Sequence, residues 1–499
     1  MPGLIELREE CGVYGIWRNP DAARLGFYAL QALQHRGQES AGLTVAQNGH
    51  LETHRGMGLV HDVFDEDVIQ RLQGDRAIGH VRYSTSGESS LTNAQPLVFR
   101  YRGLQLAMAH NGNLVDAPLL RRSFEEKGAI FQTTSDTEVI AHLMAHARTD
   151  DLVEAAAKAL SQVHGGFAVV MLTSDMLLAA RDPNGIRPLC LGRLQDGWVL
   201  ASETCAFDTI GAEFIREIAP GELLKISDGG LETRAFHPAG REAMCIFEFI
   251  YFARPDSHFL GTNVHSVRKR LGRFLAEDYP AEADVVVGVP DSSISAAIGY
   301  SEQSGIPYEM GLIKNRYIGR TFIQPSQASR QLGVRLKLNP VRHLIEGRRV
   351  ALIDDSIVRG TTSRHLVRLL RDAGAREVHM RISSPPYRHA CHYGIDTADD
   401  RQLIANRLSI EEMERNIGVD SLAFLSVERV AEAVGTGVNR FCTACFTGDY
   451  PVRVDQDEER EASPGLSLGG RWPVKQPLMS ESPKADSGDD GRSPHMERP

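Results

Sequence analysis

The densest chemistry in the chain lies in Val350-Ala-Leu-Ile-Asp-Asp-Ser-Ile-Val-Arg-Gly-Thr-Thr-Ser363. Val350 to Ile353 is a short apolar run, the pattern of a buried strand. It ends in two adjacent carboxylates, Asp354 and Asp355. Ser356, Gly360, Thr361, Thr362 and Ser363 follow, small residues that offer backbone N–H groups and hydroxyls, and Leu366, Leu369 and Leu370 then recur at helical spacing. A strand, a loop of small donors and a helix N-terminus favour phosphate, because the donors and the helix dipole act together. The paired carboxylates suit ribose hydroxyls or a hard cation such as Mg2+. An ordinary strand–turn–helix corner with an exposed acidic pair has the same pattern. Two further stretches carry related chemistry. Asp284-Val-Val-Val-Gly-Val-Pro-Asp-Ser-Ser293 is a second apolar strand opening into Ser and Asp, and Lys314-Asn-Arg-Tyr-Ile-Gly-Arg-Thr-Phe-Ile323 is basic and aromatic. Its Lys314, Arg316 and Arg320 suit a diphosphate, or simply a solvated basic loop.

The first half of the chain holds a different set. Cys11 opens Cys-Gly-Val-Tyr-Gly-Ile. A thiol is the best side-chain nucleophile near neutral pH, although a buried strand residue has the same look. Arg82 ends the run Gly79-His-Val-Arg82, and its planar fork suits a carboxylate or a surface salt bridge. His110-Asn-Gly-Asn113 sets an amide beside a glycine N–H, which serves as an oxyanion hole or merely as a turn. Ser135-Asp-Thr137 reads as a helix cap. Of the seven cysteines, Cys190 and Cys205 have no partner pattern and read as structural thiols. Cys245, Cys391 and the Cys442-Thr-Ala-Cys445 pair make four thiols that suit zinc or an iron–sulfur cluster equally by count.

The elements that must position these residues divide at a polar, glycine-rich stretch near 227–242. Before it, strands are expected at 167–172, 177–180, 189–191 and 198–202, with a hairpin about Asn48-Gly49 and helices from Ala22 and Thr137. After it, helices near 264–275 and 294–300 alternate with strands at 285–289, 350–353 and 378–382, the mark of a parallel sheet with ligands beyond its carboxyl ends. A chain of 499 residues that is 42% hydrophobic has material for two or three domains. A net charge of −10 implies no general affinity for nucleic acid or anionic membrane. No apolar run is long enough for a bilayer, the first ten residues lack the regions of a signal peptide, and the odd cysteine count points to the cytoplasm. Residues 452–499 are rich in proline, serine and mixed charge and read as a disordered tail.

The Asp354 loop resembles the phosphoribosyl-pyrophosphate (PRPP) loop of phosphoribosyltransferases. Together with the Ser292 loop, the Lys314 segment and Glu10-Cys-Gly-Val-Tyr-Gly-Ile16, the chain over about residues 11–451 resembles the amidophosphoribosyltransferase family. The resemblance implies an α+β Ntn-hydrolase αββα sandwich (11–235) and an α/β phosphoribosyltransferase domain with a parallel sheet (236–451). It implies that residues 1–10 are a propeptide whose removal makes Cys11 the N-terminal nucleophile. Asn111 and Gly112 would form the oxyanion hole, and Arg36, Arg82 and Asp136 would bind glutamine. Asp354, Asp355, Ser356, Arg359, Gly360, Thr361, Thr362 and Ser363 would bind PRPP, with Lys314, Arg316 and Tyr317 from a mobile flap. Ser292, Asp354 and Asp355 would hold one Mg2+ per subunit, and Cys245, Cys391, Cys442 and Cys445 one 4Fe–4S cluster, with zinc as the alternative. It further implies a homotetramer and inhibition by purine nucleotides. Two other readings are a different glutamine amidotransferase, which would lack the Asp354 loop, and a PRPP-sensing regulator, which would have no use for Cys11, Arg82 and Asn111-Gly112.

Overall fold

The computed structural model describes residues 11–83, 88–315, 338–395, 397 and 400–452. Arg316, Tyr317, Arg320 and the rest of the expected flap lie outside the described residues, as do residues 1–10 and nearly all of the expected tail.

Thirteen strands build the first half: β1 (Gly12–Trp17), β2 (Ser40–Gln47), β3 (His50–Met57), β4 (Arg76–Arg82), β5 (Leu97–Tyr101), β6 (Leu104–Leu114), β7 (Gly165–Leu172), β8 (Met176–Arg181), β9 (Cys190–Leu194), β10 (Gly197–Ala201), β11 (Glu213–Glu217), β12 (Glu222–Ser227) and β13 (Gly230–Ala235). They form a seven-stranded sheet, β11-β9-β10-β1-β4-β2-β3, and a six-stranded sheet, β13-β12-β8-β7-β6-β5. Alternation along each strand decides which face meets what. Val13, Trp17 and Ile78 of the first sheet pack on Ala107, Ala109, Ala168 and Val170 of the second. Tyr14, Ile16, Leu43 and Val81 turn the other way, onto Leu30 and Leu33 beside the helix Ala22–Ala32. Leu106, Met108 and Val169 turn away from the first sheet, onto helices that include Thr137–His146 and Leu152–Leu160. The result is the helix–sheet–sheet–helix sandwich.

The polar stretch 227–242 begins within the sandwich. Its first part makes the β12–β13 hairpin, with Ser227 paired to Gly230, and β13 is polar because it is an exposed sheet edge. The chain leaves the sandwich only after Ala235.

In the second half, strands Val285–Gly288, Arg349–Asp354, Glu377–Ile382 and Ser421–Phe424 lie side by side, all parallel. Val286, Ala351 and Ile353 face the helices Val264–Asp278 and Ile294–Ser304, whereas Val350 and Leu352 face Leu366 and Leu370 of the helix Thr361–Asp372. Both faces are therefore covered, which is why these strands are continuous apolar runs. The helices Val264–Asp278 and Ile294–Ser304 touch backbone to backbone. A Cβ on Gly272 would stand 1.8 Å from the oxygen of Ala296. A short parallel pair, Met244–Cys245 with Phe441–Cys442, places Cys245 opposite Cys442.

Candidate active sites

Cys11 immediately precedes β1, on the face that Val13 turns to the second sheet. Asn111 continues the Ala107, Ala109 face of β6 toward the first sheet. Register thus directs both side chains into the interface between the sheets. The two sheets are tied there by His80 of β4, whose Nε2 lies 3.0 Å from the main-chain oxygen of His110 on β6. The Cys11 thiol is 7% exposed, donates to Tyr83 O at 3.3 Å and accepts from Tyr83 N. Burial pushes this thiol up to about 11, against a lowering by the Tyr83 hydrogen bond and by Arg82, so the thiol needs a base to ionise near neutrality. Asn111 is buried, and neither its Oδ1 nor its Nδ2 has a hydrogen-bond partner among the described residues. An unpaired buried amide is costly, and a ligand oxygen would satisfy its donor. Gly112 sits at φ 134, where a Cβ would meet Gly166 O at 2.0 Å; only glycine lets β6 lie so close to β7.

Arg82 and Asp136 act on the Cys11 thiol electrostatically, as does Glu39, which motif reading did not single out. Arg82 ends β4, buried, with Nη1 donating to Glu88 O at 3.1 Å. Asp136 Oδ2 accepts from Leu114 N at 3.0 Å. Burial alone would raise the Asp136 carboxyl, but His110 and the N–H groups of Leu114 and Thr137 outweigh it and hold it below the usual range. It stays a carboxylate, as an ammonium ligand requires.

Arg36, expected among the glutamine ligands, is committed elsewhere. Its side chain is fully buried. Nε donates to Cys11 O at 3.1 Å, Nη1 to Glu203 at 2.6 Å and Glu248 at 2.9 Å, and Nη2 to Glu248 at 2.7 Å. Glu203 also accepts from Arg254 N and Ser257 Oγ and lies 2.7 Å from His35 Nε2. Arg36 therefore links the main-chain carbonyl of Cys11 to two buried carboxylates, one from each half of the chain.

The second site lies at the carboxyl end of Arg349–Asp354. Asp354 and Asp355 are each 7% exposed. Asp354 Oδ1 accepts from Ser293 Oγ at 3.1 Å and from Asp355 N at 2.9 Å, and Asp355 accepts from Ser356 Oγ at 2.6 Å and from Ser292 Oγ. The two loops singled out in the sequence thus meet through their carboxylates and hydroxyls. Gly360, at φ 72, caps the helix that begins with Thr361, Thr362 and Ser363. The buried Nε and Nη1 of the Arg359 guanidinium have no hydrogen-bond partner among the described residues, an unsatisfied donor group that suits an anion. Lys314 is paired instead with Asp291, 3.0 Å away, at an exposed position. Arg268 was not anticipated. It is buried, donates to Phe249 O and Ala253 O at 2.8 Å, and is drawn electrostatically to Asp355, Glu203 and Glu248.

Cys245, Cys391, Cys442 and Cys445 line one mostly apolar cavity, together with Ile186 and Arg187 from the first half. Among the described residues, no three or more His, Cys, Asp or Glu side chains gather as they would around a single ion. Burial pushes Cys442 up to about 12 and Cys445 well above its ordinary value, the neighbouring cage thiols adding to both.

Residues 80–209 match the glutamine amidotransferase domain and residues 262–401 the phosphoribosyl transferase domain. The sandwich with its thiol and the parallel sheet with its acidic loop thus define a glutamine amidotransferase joined to a phosphoribosyltransferase. The amidophosphoribosyltransferase of Bacillus subtilis is 52% identical over 456 residues, covering 90% of this chain and 96% of that protein. The chloroplastic amidophosphoribosyltransferase 1 of Arabidopsis thaliana is 51% identical over 448 residues, covering 89% and 79%. A solved B. subtilis glutamine PRPP amidotransferase, complexed with ADP and GMP, superposes with a TM-score of 0.85 at 52% identity, covering 90% of this chain and 98% of that one. The chain belongs to the amidophosphoribosyltransferase family.

Proposed function

We propose that the chain frees ammonia from glutamine at Cys11 and uses it at the Asp354–Asp355 loop to displace pyrophosphate from PRPP. The overall reaction, the first committed step of purine biosynthesis, converts PRPP, glutamine and water to 5-phosphoribosylamine, glutamate and pyrophosphate. The observation that carries the residue assignments is the buried, unpartnered amide of Asn111 on the face that receives Cys11.

Removal of residues 1–10 would give Cys11 an α-amine with pKa near 7.7–8.0, the base its raised thiol needs. The amine takes the thiol proton, sulfur attacks the γ-amide carbon, and Asn111 Nδ2 with the Gly112 N–H holds the oxyanion. Ammonia leaves, and water returns glutamate from the thioester. Arg82 holds the α-carboxylate of glutamine and Asp136 its α-amino group. At the second site, Asp354 and Asp355 orient the ribose hydroxyls while Arg359 and the 360–363 turn hold phosphate. Lys314, Arg316 and Tyr317 close over the diphosphate, which requires Lys314 to leave Asp291. Positioning and charge neutralisation do most of this work.

The carboxylates and hydroxyl of Asp354, Asp355 and Ser292 are hard oxygen donors of the kind Mg2+ takes, and Mg2+ there would neutralise the diphosphate leaving group. The four cavity thiols suit a 4Fe–4S cluster, whose ligands spread around a cage, better than zinc, which needs all its sulfurs about 2.3 Å from one point. The cluster would cross-link the loops that bear it. We place the amidotransferase half at 11–235, the phosphoribosyltransferase half at 236–451 and a tail at 452–499. The ADP and GMP on the solved relative support purine nucleotides as inhibitors of this chain, acting on a homotetramer. No described helix is long and apolar enough to cross a membrane, and free thiols throughout the described residues support the cytoplasm or another reducing compartment, such as the chloroplast of the plant relative.

Cys11→Ala should abolish pyrophosphate release driven by glutamine and keep release driven by high ammonia. If a folded Cys11→Ala protein loses both, the division of labour is wrong.

A further inference from the structure

Asn113 lies two residues beyond Asn111 on β6, and its Nδ2 donates to the main-chain oxygen of His392 at 2.9 Å. Arg187 donates through Nε to the next carbonyl, that of Tyr393, also at 2.9 Å. The backbones are close here as well. Gly166 pairs with Asn113 across β7, and a Cβ placed on it would come within 3.1 Å of Tyr393 Cβ. The turn from Cys391 to Gly394 is therefore seated on the end of the β6–β7 ladder by two donors and a tight contact. The turn is itself braced. Tyr393 N–H donates to Cys391 Sγ at 3.4 Å, and Cys391 N–H donates to Thr397 Oγ1 at 3.0 Å. Cys391 lines the thiol cavity. One residue and one hydrogen bond thus separate a cage cysteine from the strand that carries the oxyanion donors.

The connection matters because Asn111 has no side-chain bond to hold its amide. Its aim is set by the course of β6, and that strand ends at Leu114. We propose that Asn113 is a positioning residue for the glutamine half-reaction: through His392 O, the Cys391 turn of the second half fixes the end of β6 and so the donors of Asn111 and Gly112. The inference rests on the oxyanion reading of those two residues. A displacement of an ångström at a donor that acts on the transition state is enough to cost about a hundredfold in rate, so one distant hydrogen bond can matter.

The test uses Asn113→Asp, which keeps size and removes the donor, with Asn113→Ala as a second variant should the carboxylate prevent folding. The probe is 6-diazo-5-oxo-L-norleucine on the mature, metal-loaded enzyme. Its diazo carbon takes the thiol proton, dinitrogen leaves and a bond forms to Cys11 Sγ, while its ketone oxygen occupies the place of the amide oxygen. Adduct formation is followed by intact mass. The expected result is a maximal alkylation rate lowered about 10- to 100-fold. The half-saturating probe concentration should stay within about threefold, since ground-state binding is not the target. Bound-metal content and ammonia-driven synthesis should stay near wild type. Wild-type alkylation by Asn113→Asp, with Asn111→Ala slowed, would overturn this inference alone. Wild-type alkylation by Asn111→Ala would overturn the oxyanion reading beneath it. A parallel fall in metal content, ammonia-driven synthesis and alkylation would mean that Asn113 only holds the fold together, and would equally refute the proposal.

Discussion

A buried arginine with two carboxylate neighbours cannot be lost without consequence. Arg36 gives Glu248 both of the hydrogen bonds found for that carboxylate and gives Glu203 another. Arg36→Ala would leave Glu248 as a buried charge without its hydrogen-bonded partner, a situation that typically costs about 3–5 kcal/mol. A urea titration of the variant should show a loss of that size, and a change below about 1 kcal/mol would contradict the assignment. Asp355→Asn probes the other site. It keeps the size of a side chain that accepts from Ser292 and Ser356 but removes its charge. Hydrogen bonds to a charged group contribute about 1.5–3 kcal/mol, so kcat/KM for PRPP should fall roughly 10- to 150-fold, with Cys11 still forming its thioester from glutamine. Loss of the thioester with PRPP use intact would reverse the assignment. The string from Asp354 to Ser363 was legible because all its parts are local: strand end, carboxylates, small donors and helix start. The buried partners of Arg36 were not legible, because they lie 167 and 212 residues away. Nothing near His35-Arg36-Gly37 announces Glu203 or Glu248. Arg268 was missed for the same reason.

Elements were more legible than their edges. Parallel strands such as Val350–Ile353 stand out because burial on both faces forces an apolar run. The β12–β13 hairpin does not stand out from the polar stretch that follows it, because an exposed edge strand is as polar as the boundary residues. Within the sandwich, β4 carries a clear pH liability. His80 is fully buried, and burial brings its imidazole down to about 3, with Arg82 lowering it and the bond to His110 O raising it. Above the unfolded value of 6.5 both states are neutral at this site and its contribution to stability is whole. As pH falls below 6.5 only the unfolded chain takes the proton, so stability declines by up to about 1.4 kcal/mol per pH unit until the folded-state value is reached. Between pH 6.5 and 4.5 the ordinary carboxylates contribute little, so the histidines dominate the slope. His80→Asn should flatten it. His142 and His265 are lowered too but are only partly buried, so the slope should diminish rather than vanish. An unchanged slope in a folded His80→Asn protein would show that the imidazole is reached by water.

At the scale of the molecule, two of the contacts that join the halves differ in chemistry. One is the ionic junction of Arg36, Glu203 and Glu248. The other is the thiol cage, where Ile186 and Arg187 of the first half close a cavity with four cysteines of the second. Those cysteines come from three separated segments, and a short parallel pair brings Cys245 and Cys442 into register. Whatever the cavity holds would add a cross-link to segments already joined by the bonds of Arg388 N and His389 N to Cys445 O and of the Tyr450 hydroxyl to Ala390 O. If it holds a 4Fe–4S cluster, anaerobically purified protein should be brown and contain about four irons per chain. Stoichiometric zinc without iron would refute the cluster. Removal of the metal should then act beyond the cage, because ligand binding at such sites is coupled to folding. The main-chain oxygens of His392 and Tyr393 are the acceptors for Asn113 and Arg187, so freeing Cys391 loosens the junction on both sides. Limited proteolysis should first cut near 387–395 in metal-depleted protein, with the sandwich resisting longer. Amide exchange should rise there and at the end of β6, while Val285–Gly288 and Arg349–Asp354, buried in the parallel sheet, remain protected. Equal protection at 387–395 with and without metal would show that the turn is held by its hydrogen bonds alone.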